Sequence, residues 1–170
     1  MTASAVTRSN MLSESWNNIY QLLLANVTDP TIGSAEFRKW FYTRDPDVKA
    51  AGFAGYPFII IHPSLVDFST GMKSVDANAR MVEWTLEIEV VTSDRGVGNS
   101  AGNGASQNDT ITDSVISVLN STTNRKTLRG NSLYDLDITT TSVVVEPDRD
   151  TLVYRRTLLV AVRNRMKVSA

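Results

Sequence analysis

The residues most suggestive of chemistry form a glycine-rich string, Gly96-Val97-Gly98-Asn99-Ser100-Ala101, which fits the G-x-G-x-x-G/A pattern of dinucleotide-binding turns. Such a turn works when it leaves an apolar parallel strand and presents a phosphate to the first amides of a helix. Here the preceding segment alternates apolar and polar residues, and the next helical pattern begins near residue 107, several residues past the glycines. The acid nearest the expected offset, Asp113, falls within that helix and not at a strand end. No G-x-x-x-x-G-K-[ST] string occurs. The string therefore reads as a flexible contact loop over 95–105, with Gly96, Gly98, Gly102 and Gly104 supplying its freedom.

Other reactive groups are sparse. His62 is the single histidine; it precedes Pro63 at a strand end and no G-x-S-x-G elbow accompanies it, so it reads as structural. With no cysteine, disulfides, thiolate catalysis and cysteine-ligated zinc are excluded. Asp45, Asp47, Asp148 and Asp150 lack calcium-loop spacing and read as solvated turn acids. No catalytic residue, cofactor or metal ligand set is predicted, and the chain reads as a protein other than an enzyme.

Two clusters read better as surfaces. Glu83, Glu87 and Glu89 share one face of an alternating segment, either paired across strands with the arginines of the last strand or lining a channel that repels polyanions. Phe37, Arg38, Trp40, Phe41, Tyr42 and Arg44 form the densest aromatic and basic cluster. They suit a subunit or partner interface, with plain core packing as the alternative. Stacking on nucleic-acid bases is the third reading, and a net charge of −1 with no binding motif argues against it.

The elements that position these groups follow from periodicity. Leu12, Trp16, Ile19, Tyr20, Leu23 and Val27 give a helix over 10–27, closed by Asp29-Pro30. Proline and glycine punctuate 30–56, which is predicted to be an irregular arm. Residues 57–62 read as a buried strand, 65–70 as a second short strand, and 79–93 as a long strand with Val82, Trp84, Leu86, Ile88 and Val90 inward. A helix over 107–121 has Ser106 or Asn108 as its cap, and a hairpin pairs 133–145 with 151–166 through the turn residues 146–150. At 170 residues and 42% hydrophobic content, the chain suits one domain over 1–170 with a real core. The predicted fold is α+β: a mainly antiparallel four- to five-stranded sheet with two helices on one face. No signal-peptide core or membrane-length apolar run occurs, so a soluble chain made in the cytosol is expected.

The order of these elements resembles that of the tail-terminator (tail-completion) proteins of long-tailed bacteriophages. Trp16-Asn17-Asn18-Ile19-Tyr20-Gln21-Leu22-Leu23, the Met81–Val91 strand and Tyr154-Arg155-Arg156-Thr157-Leu158-Leu159-Val160 carry the resemblance over roughly residues 10–166. The resemblance implies a structural virion protein, assembled in the host cytoplasm, that forms a homo-oligomeric ring, typically a hexamer, on the head-proximal end of the tail tube. It implies the tail-tube protein and a neck or head-completion protein as partners, no cofactor, no membrane, and DNA passing through without specific binding. A head–tail adaptor or head-closure protein is the nearer alternative, and a small ligand-binding domain using the glycine loop the farther one.

Overall fold

In a computed structural model, which describes residues 11–31, 38–76, 79–94, 103–130, 133–148 and 151–167, the alternating segment forms the middle of the sheet. The described elements run α1 (Met11–Asn26), β1 (Phe41–Tyr42), β2 (Phe58–Asp76), β3 (Ala79–Ser93), α2 (Gly104–Asn120), α3 (Thr122–Gly130), β4 (Leu133–Thr140), β5 (Val144–Asp148) and β6 (Thr151–Lys167). The sheet order is β1-β2-β3-β6-β4, with β5 also pairing β6. Every pairing is antiparallel except that of β1 with β2. The α+β class is as predicted, but the described sheet is mixed, with six strands instead of four or five, and a third helix is present.

Register follows the apolar pattern. β3 and β6 pair without interruption from Ala79↔Lys167 to Ser93↔Val153. Period-two alternation then puts Val82, Trp84, Leu86, Ile88 and Val90 on one face, beside Leu158, Val160 and Val162. Ile59 and Ile61 of β2 extend this face, which Ile19, Leu22 and Leu23 of α1 and Ile111, Val115 and Leu119 of α2 cover. Each such side chain contributes about 1.5–3 kcal/mol when fully buried, against about 0–1 kcal/mol for an exposed ion pair. Burial on this face therefore dominates the fold.

Three boundaries differ from the sequence reading. The segment 58–76 is one strand rather than two; register shifts between His62 and Asp67, Asp67 and Thr70, and Thr70 and Lys73 absorb its irregularity. Beyond Ile60, β2 has no described neighbour on its outer side, where a proline removes no ladder bond. The first arm of the hairpin breaks at 141–143 into β4 and β5, and the predicted turn residues Glu146, Pro147 and Asp148 are paired in β5. Arg149 and Asp150 lie outside the described residues. Finally, α2 starts at Gly104 with Asn103 at its N-cap, so neither Ser106 nor Asn108 caps it.

The junction of α2 and α3 is held by side chains. The last carbonyls of a helix have no internal partner. Here Asn124 Nδ2 donates to Val118 O, Arg125 Nε to Leu119 O, and Arg125 Nη2 to both Asn120 Oδ1 and Leu136 O of β4. Arg125 thereby joins α2, α3 and β4. No helix among the described residues is long and apolar enough to cross a membrane.

Candidate functional site

The second face of the sheet holds the side chains that could do chemistry. Alternation places Glu83, Glu87 and Glu89 of β3 there, opposite Arg163, Leu159 and Thr157 of β6. Arg163 contacts Glu83 at 3.3 Å, and Asp135 of β4 lies 3.9 Å beyond it. Arg155 pairs with Glu89 and, at 3.3 Å, with Asp45 of the arm. Burial lowers the proton affinity of Arg155, but the charges of Glu89 and Asp45 outweigh it and hold the guanidinium above its ordinary value. The acidic row is thus largely a cross-strand ion-pair lattice. Glu87, across from His62, carries no ion pair among the described residues.

His62 Nε2 sits 3.5 Å from Glu89 Oε1, yet the geometry makes no hydrogen bond and the nitrogen is otherwise unpartnered. No Ser, Thr or Tyr hydroxyl bonds the imidazole among the described residues, so no nucleophile–base pair is formed here. Among the described residues, no group of three His, Cys, Asp or Glu side chains could hold a metal ion.

The aromatic and basic cluster is divided by the chain path. Trp40 and Phe41 point into the helix side of the sheet, where Phe41 meets Tyr20 and Trp40 edge-on at 6.0 and 4.9 Å. Tyr42 lies on the opposite face, joined by Phe53 and Tyr56, and the three rings cover Phe58, Ile60, Val91 and Val153. The arm over 38–57 therefore wraps from one face of the sheet to the other. Arg44 is exposed. Phe37 lies outside the described residues.

Arg38 anchors this wrap. Nε donates to Asp29 Oδ2 at 2.5 Å and Nη2 to Asp29 Oδ1 at 3.1 Å. Nη1 donates to Ala54 O and Gly55 O, and Nη2 also to Pro57 O. All five donors of the guanidinium are used, which a partner-binding arginine would keep free. Gly55 adopts φ 88°, a conformation that glycine takes without a Cβ clash. Arg38, Trp40 and Phe41 are accordingly committed within this chain, which fits the core-packing alternative for the cluster and not a partner surface made of these three.

Of the loop glycines, Gly96, Gly98 and Gly102 lie outside the described residues. Gly104 is buried at the first turn of α2. Its N–H donates to Asp94 Oδ1 at 3.0 Å, its carbonyl accepts from Thr92 Oγ1 at 2.7 Å, and Tyr154 Oη donates to Asp94 Oδ2 at 3.1 Å. The carboxylate of Asp94 thus occupies the positive end of the helix, the place a bound phosphate would take. A Cβ at position 104 would lie 2.7 Å from the Tyr154 ring and 2.9 Å from Asp94 N. Gly104→Ala is expected to lose about 1–3 kcal/mol through overpacking, read as a lower urea midpoint.

Asn108 was missed by periodicity because polar residues on a helix are assigned outward. It is fully buried, and its Nδ2 donates to Val90 O and Tyr154 O, pinning α2 across β3 and β6. Against this geometry of paired, inward-committed polar groups, the chain matches no family model and no curated protein.

Proposed function

We propose that the chain is a structural virion protein, a tail terminator that closes the head-proximal end of a phage tail tube as a ring. In this role it ends tube polymerisation and offers a surface to the neck. The observation that carries the reading is the state of the polar groups. On the sheet face and arm, Arg155 is spent on Glu89 and Asp45 and Arg163 on Glu83, while β5 leaves Val144 and Val145 exposed on an edge strand that pairs with β6 alone among the described residues. A strand edge with bare apolar side chains is a template for association. The element order carries the specific name, and assembly needs no group beyond those surfaces.

The test is negative-stain microscopy of the protein mixed with tail-tube subunits. Tubes of limited length ending in a ring are expected at stoichiometric protein. Unchecked tube growth without a terminal ring would exclude the terminator role, and binding to head connectors alone would point to a head–tail adaptor.

A further inference from the structure

Most edges of the sheet are protected. β1 covers the start of β2, register shifts break the remainder of β2, and Arg125 reaches the backbone of β4 through Leu136 O. β5 differs. Like β4 it has no described neighbour on its outer side, but here the bare edge carries apolar side chains, with Val144 and Val145 54% and 50% exposed on opposite faces of the strand. Glu146 is exposed beside them and Asp148 follows; neither has an ion pair among the described residues. This end of the hairpin is therefore apolar and acidic.

The same chain carries a surface of the opposite character. The turn of the arm exposes Val48, 40% accessible, between Arg44 and Lys49. Both cations are exposed and neither has an ion pair among the described residues. The turn is held in place from behind, since Asp45 is tied to Arg155, and Lys49 N and Ala50 N bond Asp47. Hence both surfaces are displayed on ordered backbone.

We propose that the β5 edge of one copy receives the Arg44–Lys49 turn of a second copy of this chain. Val144, which shares a face with Glu146 and Asp148 by alternation, meets Val48 at the centre, and the two acids meet Arg44 and Lys49 at the rim. Rim charges of this kind fix register and partner choice, and the apolar centre supplies the affinity. This deepens the assembly reading, naming the contact by which copies join, and rests on its premise that they do join.

Analytical ultracentrifugation of the full chain tests it with three variants: Glu146→Lys with Asp148→Lys, Arg44→Glu with Lys49→Glu, and all four together. Wild type is expected to associate, more weakly at high salt. Each one-sided reversal raises the dissociation constant about tenfold or more. The fourfold variant restores association, which a fold defect would not allow. A wild type that stays monomeric over the whole accessible range, one-sided variants that associate like wild type, or a fourfold variant that stays apart would each overturn the contact. A wild type that caps tubes while the reversals change nothing discards the contact and leaves the terminator reading standing. One that associates through this contact and never caps tubes does the reverse.

Discussion

Replacing Arg38 with methionine is expected to destabilise the fold by about 3–5 kcal/mol at neutral pH, because it strands a buried carboxylate. The Asp29 side chain is 1% exposed, and Arg38 supplies the guanidinium that neutralises it. Three backbone carbonyls, of Ala54, Gly55 and Pro57, lose donors at the same time. Lysine is a poor substitute, since one ammonium cannot span a carboxylate and three carbonyls. Acid gives a second readout. Burial pushes the Asp29 carboxyl up, but bonds from Arg38 and Thr31 outweigh it and hold the group below its ordinary 3.8. A group depressed in the folded state contributes stability that is complete above the ordinary value and lost as pH falls through the folded one. Wild type should therefore weaken below pH 3.8. Without the arginine, only the two Thr31 bonds oppose burial at Asp29, and its protonation relieves the variant. The gap between the two urea curves should narrow on acidification; a constant gap would mean that Arg38 acts by packing alone.

That anchor was invisible in the sequence for a definite reason. Arg38 and Asp29 are nine positions apart, in segments with no shared periodicity, and proximity in an irregular arm is set by tertiary path. What the sequence does encode is periodic. The strand over 79–93 and its inward residues are legible because both faces obey a period of two, and the pairing of Glu83 and Glu89 with β6 arginines follows from that alternation. By contrast, α3 is polar almost throughout, with Leu128 its one buried residue, so no stripe announces it. Its stability comes from Asn124 and Arg125 acting at its neighbours' ends. Likewise, aromatic and basic residues in one short stretch suggest a surface, but composition cannot show that Phe41 and Tyr42 pair with β2 as a strand, whose alternation sends their rings to different cores.

Asn164→Leu is expected to cost about 1–3 kcal/mol for each buried polar group that it strands. Asn164 is fully buried at the far end of β6, where alternation would place an apolar residue. Its Oδ1 accepts from Trp84 Nε1 at 2.6 Å, and its Nδ2 donates to Ser15 Oγ at 3.2 Å. One side chain thus couples β3, β6 and α1, fixing α1 over the sheet where apolar contacts alone would let it slide. Leucine is larger than asparagine and leaves no cavity, so a loss reports the orphaned indole N–H and serine hydroxyl together with any overpacking. Trp84→Phe alone should also destabilise, leaving Asn164 Oδ1 without its donor. Combining the two removes both halves of the shorter bond, and the double variant should be more stable than the sum of the single losses, by a coupling of about 0.5–3 kcal/mol. Urea denaturation of the four proteins in this cycle measures it. Strict additivity would show that the Trp84–Asn164 bond contributes nothing beyond packing. Weakened hydrogen-exchange protection in α1 for Asn164→Leu, with protection kept in Trp84→Phe, would show that the Asn164–Ser15 bond seats the helix on the sheet.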